Sequence, residues 1–193
     1  MAKDFSPRHD RRRRDRREIR FYARSGSTTR GSAVSDFDQR ELRDGFGEFM
    51  TGVTVVTTRG ADGEPSGLTA NSFSSLSLDP PLALFSIGKS SNTFDDFEAG
   101  NGFVIHVLAH DQRDLATQFA VKGINRFEGV DWSPGFDDLP VIAGTLASFE
   151  CSREHVYEGG DHLILVGRIE RFTVGDRTRP ALGYFRSAYI SQV

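Results

Sequence analysis

The sequence has a single cysteine, Cys151, among its 193 residues. One thiol excludes an internal disulfide, and it excludes the zinc and iron–sulfur sites that require several cysteine ligands. The chain is therefore expected to depend on one apolar core, for which its length is sufficient. Cys151 lies in an apolar segment, so we interpret it as an inert core thiol and not as a nucleophile.

Long apolar runs are also missing. No segment approaches the eighteen or so apolar residues that a membrane-spanning helix needs, so no membrane partner is expected. The charged N-terminus is not followed by the apolar stretch of a secretory signal. Together these features predict a cytoplasmic protein.

Several common catalytic motifs are absent. The sequence has no Gly-x-Gly-x-x-Gly, no Gly-x-x-x-x-Gly-Lys-Ser/Thr and no Gly-x-Ser-x-Gly, which disfavours the common dinucleotide, P-loop and hydrolase sites. His106 and His110 are four residues apart, but their segment resembles a strand that leads into a loop. His155 has no companion at ligand spacing. We expect no metal site.

Basic residues are concentrated at the start of the chain. Residues 1–30 contain eleven Lys and Arg against four acids, a net charge of +7, whereas the remainder carries −10. Residues 1–34 lack hydrophobic periodicity, so they are predicted to be a disordered basic tail that precedes a domain over 35–193.

Three interpretations of the basic tail remain open. It is a solvated tail, the product of an upstream start codon, or a segment that binds nucleic acid or another anionic surface. No aromatic residues are interleaved for base stacking and no DNA-binding motif follows, so nucleic acid is disfavoured as a partner.

The hydrophobic pattern predicts a small β-barrel with flanking helices. Ser35 is expected to cap a helix with an apolar stripe at Leu42, Phe46, Phe49 and Met50, ended by Gly52. Two shorter helices are predicted, one after a cap within 91–93 and one capped by Asp111. Strands are predicted at 53–58, 66–77, 82–87, 103–108, 141–151, 154–157 and 162–172, with an apolar, aromatic segment at 184–190. The strands do not alternate regularly with helices, which disfavours a doubly wound parallel sheet.

The segment 67–81 contains many small polar residues. Such a strand packs poorly as core, but it leaves backbone groups open to a flat ligand. The alternative is an edge strand whose Ser and Thr side chains face solvent, and composition alone favours that alternative.

A second segment, 86–93, lies at a predicted strand-to-helix junction. Unpaired N–H groups at a helix start, with Lys89 and the hydroxyls of Ser90, Ser91 and Thr93, could hold a phosphate. The alternative is that Ser91 simply caps the helix.

The third segment is Gly159–His162. A glycine pair places His162 at a sharp entry into a strand, where the side chain could orient a carbonyl or carboxamide or transfer a proton. A turn histidine without a function is the alternative.

The order and spacing of these segments resemble the flavin reductase-like family of FMN-binding split barrels. The resemblance covers roughly residues 37–192 and rests on Thr-Gly-Val-Thr-Val-Val-Thr at 51–57, on the 67–81 segment Gly-Leu-Thr-Ala-Asn-Ser-Phe-Ser-Ser-Leu-Ser-Leu-Asp-Pro-Pro, on Lys89–Thr93 and on Gly160-Asp161-His162. It implies a Greek-key barrel with flanking helices, assembled as a homodimer. The basic tail lies outside the family pattern.

The resemblance also implies roles for individual residues. His162 would contact the nicotinamide cofactor as the catalytic residue, and Phe127 would close over the flavin. Many relatives have Lys at the position of Arg126, so the positive charge is retained. The implied flavin-binding residues are Thr54, Val55, Thr69, Ala70, Asn71, Ser72, Ser77, Leu78, Lys89, Ser90, Ser91, Thr93, Phe127, His162 and Tyr189.

The implied reaction is hydride transfer from NADH or NADPH to FMN or FAD, with the reduced flavin passed to a partner monooxygenase. The sequence does not choose between the two flavins or between the two nicotinamide cofactors. Two alternatives stay open: a split-barrel flavoprotein oxidase that holds FMN tightly, and a non-catalytic binding module that uses the Arg-rich tail.

Overall fold

The structure, a computed structural model, describes residues 38–191. The predicted tail over 1–34 and the predicted cap at Ser35 therefore lie outside the described residues. The first helix, α1, is Gln39–Gly47, and the Asp38 carboxylate accepts hydrogen bonds from the N–H groups of Arg40 and Glu41. The prediction that this helix continues to Gly52 is wrong, because Gly52 lies in the first strand.

Twelve strands and two further helices follow within the described residues. The helices are α2 (Phe94–Ala99) and α3 (Arg113–Ala120). The strands are β1 (Thr51–Gly52), β2 (Thr54–Arg59), β3 (Pro65–Ala70), β4 (Ser74–Leu78), β5 (Pro81–Gly88), β6 (Gly102–Val107), β7 (Trp132–Pro134), β8 (Pro140–Ile142), β9 (Ala147–Gly159), β10 (His162–Val174), β11 (Leu182–Phe185) and β12 (Ala188–Ser191).

Seven antiparallel strands form the main sheet, in the order β3-β2-β6-β9-β10-β5-β4. Ser72, which follows β3, links the β3 end of this sheet to β5. Its hydroxyl accepts from the N–H of Ser86 at 2.9 Å and donates to the carbonyl of the same residue at 3.0 Å. The predicted mainly β fold with flanking helices is confirmed.

Three element boundaries differ from the sequence-based prediction. The segment 66–77 is two strands, β3 and β4, separated at 71–73. The segment 141–151 is also divided, by a turn in which Gly144 has a φ of 70°. The short strand at 154–157 belongs to the 13-residue strand β9. Strand ends depend on the neighbouring strand with which each segment pairs, and the local hydrophobic pattern does not contain that information.

Two apolar clusters form the core of the unit that begins at Arg43. The first cluster lies against the main sheet, where Phe85 contacts Phe97 and Phe103 edge to face, with ring centroids 5.4 and 5.0 Å apart. The second includes Phe119 on α3 and Phe127 on the following loop. Cys151 is fully buried in the first cluster, and burial raises its pKa to about 12, as suits an unreactive thiol.

His106 is a fully buried polar side chain that joins three strands. Its Nδ1 lies 3.1 Å from the carbonyl of Val55, and its Nε2 accepts a hydrogen bond from the N–H of Ile142 at 3.0 Å. Burial lowers its pKa to about 4, so the ring is neutral near pH 7. The proton is on Nδ1, because Nε2 is an acceptor.

Asp111 does not cap α3, contrary to the sequence-based prediction. The helix begins at Arg113 after a 3₁₀ turn over His110–Gln112. The Asp111 carboxylate instead pairs with Arg179 at 2.5 Å. An ion pair between residues distant in sequence has replaced the local cap.

Candidate functional site

A groove of about 450 Å³ lies where the end of β3 meets the first residues of β10 and the last residues of β5. Small residues dominate its surface, so the backbone is accessible to a ligand. The lining residues are Leu68, Thr69, Ala70, Asn71, Ser72, Ser86, Gly88, Gly159, His162 and Ile164.

A second lobe of about 220 Å³ shares Thr69 and Asn71 with this groove. Tyr184 and Tyr189 border it, with ring centroids 5.5 Å apart in an edge-to-face contact. Arg113 lies over the Tyr189 ring at 5.5 Å. The two lobes bring together six of the predicted site residues: Thr69, Ala70, Asn71, Ser72, His162 and Tyr189.

The wall 69–72 is held in place from behind. The Thr69 hydroxyl donates to the carbonyl of Ala116 on α3 at 2.6 Å, and the Thr54 hydroxyl donates to the carbonyl of Ala70 at 2.7 Å. Residues 71–73 belong to no strand, so their backbone groups lie outside the sheet ladders. The exposed Asn71 side chain has no hydrogen-bond partner among residues 38–191, which leaves its amide available to a ligand.

His162 stands at the mouth of the groove, directly after the turn between β9 and β10. Gly160 in this turn has a φ of 76°, a conformation that favours glycine. The His162 Nδ1 lies 2.7 Å from the Asp161 carboxylate, and this bond holds the pKa of the Asp161 carboxyl below its ordinary value. The ring packs beside Gly88, whose added Cβ would lie 3.4 Å from Nε2. A side chain larger than a methyl group at this position would therefore meet the imidazole.

The predicted phosphate segment, Lys89–Thr93, adjoins the groove at Gly88 but does not line it. The Lys89 ammonium pairs with Glu158 at 2.5 Å, and the hydroxyls of Ser91 and Thr93 are 3.0 Å apart. The N–H of Lys89 donates to the Asp161 carbonyl at 2.9 Å, which joins this segment to the turn before His162.

Helix α2 contributes little positive potential to this segment. It has only six residues, and Asp95 and Asp96 occupy its first turn. Thr93, at the N-cap position, makes no capping bond with its side chain. Cationic side chains are therefore a stronger source of positive charge near this segment than the dipole of α2.

Two cations that the sequence did not assign to a site lie against the same segment. The Lys122 ammonium donates to the carbonyl of Ser90 at 3.2 Å. Arg126, which is only 8% exposed, donates to the Asn92 side chain at 2.9 Å and to the carbonyl of Gly67 at 2.6 Å. Both come from the loop after α3; the resemblance noted the positive charge at Arg126 but gave neither residue a role in binding.

Four of the predicted flavin contacts do not line the groove of this chain. Thr54 and Val55 are buried behind the wall, opposite Ala70 and Thr69 in the β2–β3 ladder. Ser77 and Leu78 lie at the far end of β4, where Leu78 pairs with Pro81. By strand rise, Pro81 is about 16 Å along β5 from Ser86 in the groove. The wall thus ends at Ser72 within one chain.

Phe127 is also outside the groove. It is 9% exposed and packs edge to face against Phe119 and Trp132, with centroid distances of 5.1 and 5.9 Å. In this structure the ring belongs to the second apolar cluster.

Sequence reasoning missed several lining residues. Ser86, Gly88 and Ile164 enter the groove because β5 pairs with β10, and Val53 and Tyr184 enter through the second lobe. Ser86 and Gly88 lie within the segment 86–93, and Gly159 lies within Gly159–His162, so the sequence singled out their segments without naming them as flavin contacts. Within residues 38–191, no three His, Cys, Asp or Glu side chains are grouped to hold a metal ion.

Comparison with known proteins gives many relatives. The reductase component of the flavin-dependent trigonelline monooxygenase of Acinetobacter baylyi is 47% identical over 152 residues, which cover 79% of this chain and 48% of that protein. The FMN reductase (NADH) SmoA of Agrobacterium fabrum is 46% identical over 134 residues, 69% of this chain and 76% of that protein. The chain spans about half the length of the first curated relatives that it matches.

Solved structures agree on the fold. The NADH:FAD oxidoreductase of Streptomyces globisporus, in complex with NAD and FAD fragments, superposes with a TM-score of 0.76 and 38% identity, covering 84% of this chain and 98% of that one. Residues 46–191 match the family described as flavin reductase like domain, which is well over half of the sequence. From the mainly β fold and these matches together, the chain belongs to the flavin reductase-like family.

Proposed function

We propose that this chain is an NAD(P)H:flavin oxidoreductase that reduces FMN or FAD and supplies the reduced flavin to a flavin-dependent monooxygenase. The observation that carries the proposal is the groove lined by 68–72 with His162 at its mouth. The names of the relatives support the partner: one of them is itself the reductase component of a monooxygenase.

The residues present fit a flavin. The groove combines small side chains, exposed backbone at 71–73 and the free Asn71 amide, which suits a flat ring edged with hydrogen-bonding groups. The wall 69–72 would hold the ring and Tyr189 would border it, while the Lys89–Thr93 segment would receive the phosphate. When bound, a flavin supplies the hydride-accepting chemistry, and the protein supplies binding and orientation.

In this proposal His162 would orient the nicotinamide. The Asp161 carboxylate accepts a hydrogen bond from Nδ1–H, and in the tautomer with its proton on Nδ1 the Nε2 atom is an acceptor that suits a carboxamide N–H. Hydride transfer between the two cofactors does not require His162 to donate or accept a proton. Its contribution is position, which is the main requirement of such a reaction.

Flavin retention distinguishes this proposal from an oxidase that holds FMN tightly. The protein is loaded with FMN, dialysed, and then assayed for NADH consumption with and without added flavin. We expect the flavin to be lost on dialysis and turnover to depend on added flavin. Retained flavin that turns over with an amine or alcohol substrate but not with NADH would contradict the proposal.

Removing the imidazole is expected to affect the nicotinamide cofactor more than the flavin. His162→Ala should raise the KM for NADH about tenfold, the scale of one lost charged or orienting hydrogen bond, and change the flavin Kd less than about twofold. Steady-state kinetics and fluorescence titration measure the two quantities. The opposite ranking would remove His162 from the nicotinamide site.

We also propose that the chain forms a homodimer. Phe46, Phe49 and Met50 are 71%, 76% and 55% exposed, although the sequence pattern predicted an apolar stripe. These residues precede β1, which pairs with β11, and β11 carries Tyr184 of the groove. A second copy that covered them would remove a large apolar surface from water.

The homodimer is tested by sedimentation. We expect twice the chain mass for the wild type and a shift to monomer for the double variant Phe46→Glu, Phe49→Glu, because charges are costly in a buried interface. Ala61→Glu, at an exposed turn, is the control and should remain dimeric. A wild type that is monomeric at micromolar concentration would contradict the proposal.

Within the described residues no helix has the length and apolar content to cross a membrane. We place the protein in the cytoplasm as part of the proposal. A free thiol such as that of Cys151 is compatible with a reducing compartment, and reduced nicotinamide cofactors are available there.

A further inference from the structure

The buried side chain of Arg126 connects β3 with the Lys89–Thr93 segment of the proposed flavin site. Its Nη1 donates to the carbonyl of Gly67 in β3, and its Nη2 donates to the side chain of Asn92 in the Lys89–Thr93 segment. Its Nε donates to the carbonyl of Val121 at 2.8 Å. Arg126 therefore fixes the wall, the segment and its own loop in one hydrogen-bond network.

The charge of Arg126 is not neutralised nearby. All three acceptors are uncharged, and none of the ion pairs formed among residues 38–191 includes Arg126 or Lys122. Burial lowers the pKa of the guanidinium from its ordinary value. A buried cation without an anion is unusual, since such charges are normally paired.

Of the three cations at the Lys89–Thr93 segment, only Lys89 forms an ion pair among residues 38–191. Within residues 38–191, Lys89 is paired with Glu158, whereas Lys122 and Arg126 donate only to uncharged acceptors. An anion that binds beside this segment would find two cations that have no anionic partner among residues 38–191. Helix α2 is too short and too acidic at its start to supply this field.

We propose that Arg126 is the positioning residue that makes this site select phosphorylated flavins over riboflavin. It acts in two ways: it holds Asn92 and Gly67 in register, and together with Lys122 it provides the positive potential for a phosphate. The inference rests on the proposed flavin site, and it names the feature of the ligand that the site recognises.

Binding of FMN and riboflavin, which differ only by the phosphate, tests the proposal. Fluorescence titrations at low ionic strength give both Kd values for the wild type, Arg126→Lys and Arg126→Gln. We expect the wild type to prefer FMN by at least about tenfold, as a charged hydrogen bond is worth that order. Arg126→Gln should lose most of this preference, and Arg126→Lys, which keeps the charge without the planar fork, should retain it while binding both flavins more weakly.

Each other outcome decides against the proposal or against the site. If Arg126→Gln weakens FMN and riboflavin by the same factor, Arg126 is only structural. If the wild type binds both flavins equally, the inference fails while the flavin site stands, and this result needs no variant to fold. If the wild type binds neither flavin, the proposed function itself fails.

The variant Lys122→Gln tests the second cation. Lys122 is exposed, so its replacement should lower the preference for FMN without changing the thermal unfolding midpoint. An unchanged preference would overturn the role of the two cations.

Discussion

Replacing Gly88 with phenylalanine is expected to weaken flavin binding about 100-fold, because a large side chain would fill a groove that depends on small residues. Gly88 lines the groove, and an added Cβ would already lie 3.4 Å from the Nε2 atom of His162. A phenyl ring at this position must either occupy the space for the ligand or displace the imidazole. Flavin Kd and the KM for NADH should therefore both rise.

Two controls separate occlusion of the groove from damage to the fold. Gly88→Ala adds one methyl group and should weaken binding only slightly. Ala61→Phe adds similar bulk in the exposed turn between β2 and β3 and should leave the flavin Kd unchanged. Full flavin binding by Gly88→Phe, with a normal thermal midpoint, would mean that the groove is not the flavin site.

Acid is expected to destabilise the protein through His106. Its pKa is about 4 in the folded state against 6.5 as an ordinary value. The unfolded chain therefore binds a proton first, so the free energy of unfolding falls as the pH falls from 6.5 towards 4. The difference corresponds to a loss of about 3 kcal/mol from this group.

A variant without the ionisable group isolates this contribution. His106→Gln keeps an amide that can donate and accept, although with different reach towards Val55 and Ile142. It should be less stable at pH 7 but lose less stability than the wild type between pH 6.5 and 4. Urea unfolding at several pH values measures both quantities. Identical pH dependence in the two proteins would show that His106 is not buried in its neutral form.

The parts of the site that the sequence could predict are those whose signal is local. The wall 69–72 lies in a segment with too many small polar residues for a core strand, and His162 follows a glycine pair at a hairpin turn. The β-branched run that became β2 and the apolar pattern of β5 and β6 predicted the centre of the sheet. For these segments, residue type and neighbours along the chain determine the outcome.

The parts that it could not predict depend on contacts between distant segments. Phe127 is aromatic in a loop, a pattern equally suited to covering a ligand, but contacts with Phe119 and Trp132 place it in a core cluster. Ser77 and Leu78 continue the sequence motif, yet the break at 71–73 carries them away along β4. Arg126 contacts Asn92 and Gly67, which are distant from it in sequence, so its hydrogen bonds to them depend on the folded structure.

The most direct test of the central claim is anaerobic reduction of flavin by NADH, followed by visible absorbance. The protein is mixed with FMN or FAD in the absence of oxygen, and NADH is then added. We expect the flavin absorbance to bleach at a rate proportional to protein concentration, and we expect Gly88→Phe to slow this bleaching strongly. Absorbance that stays unchanged with both flavins and with both NADH and NADPH would contradict the proposed function.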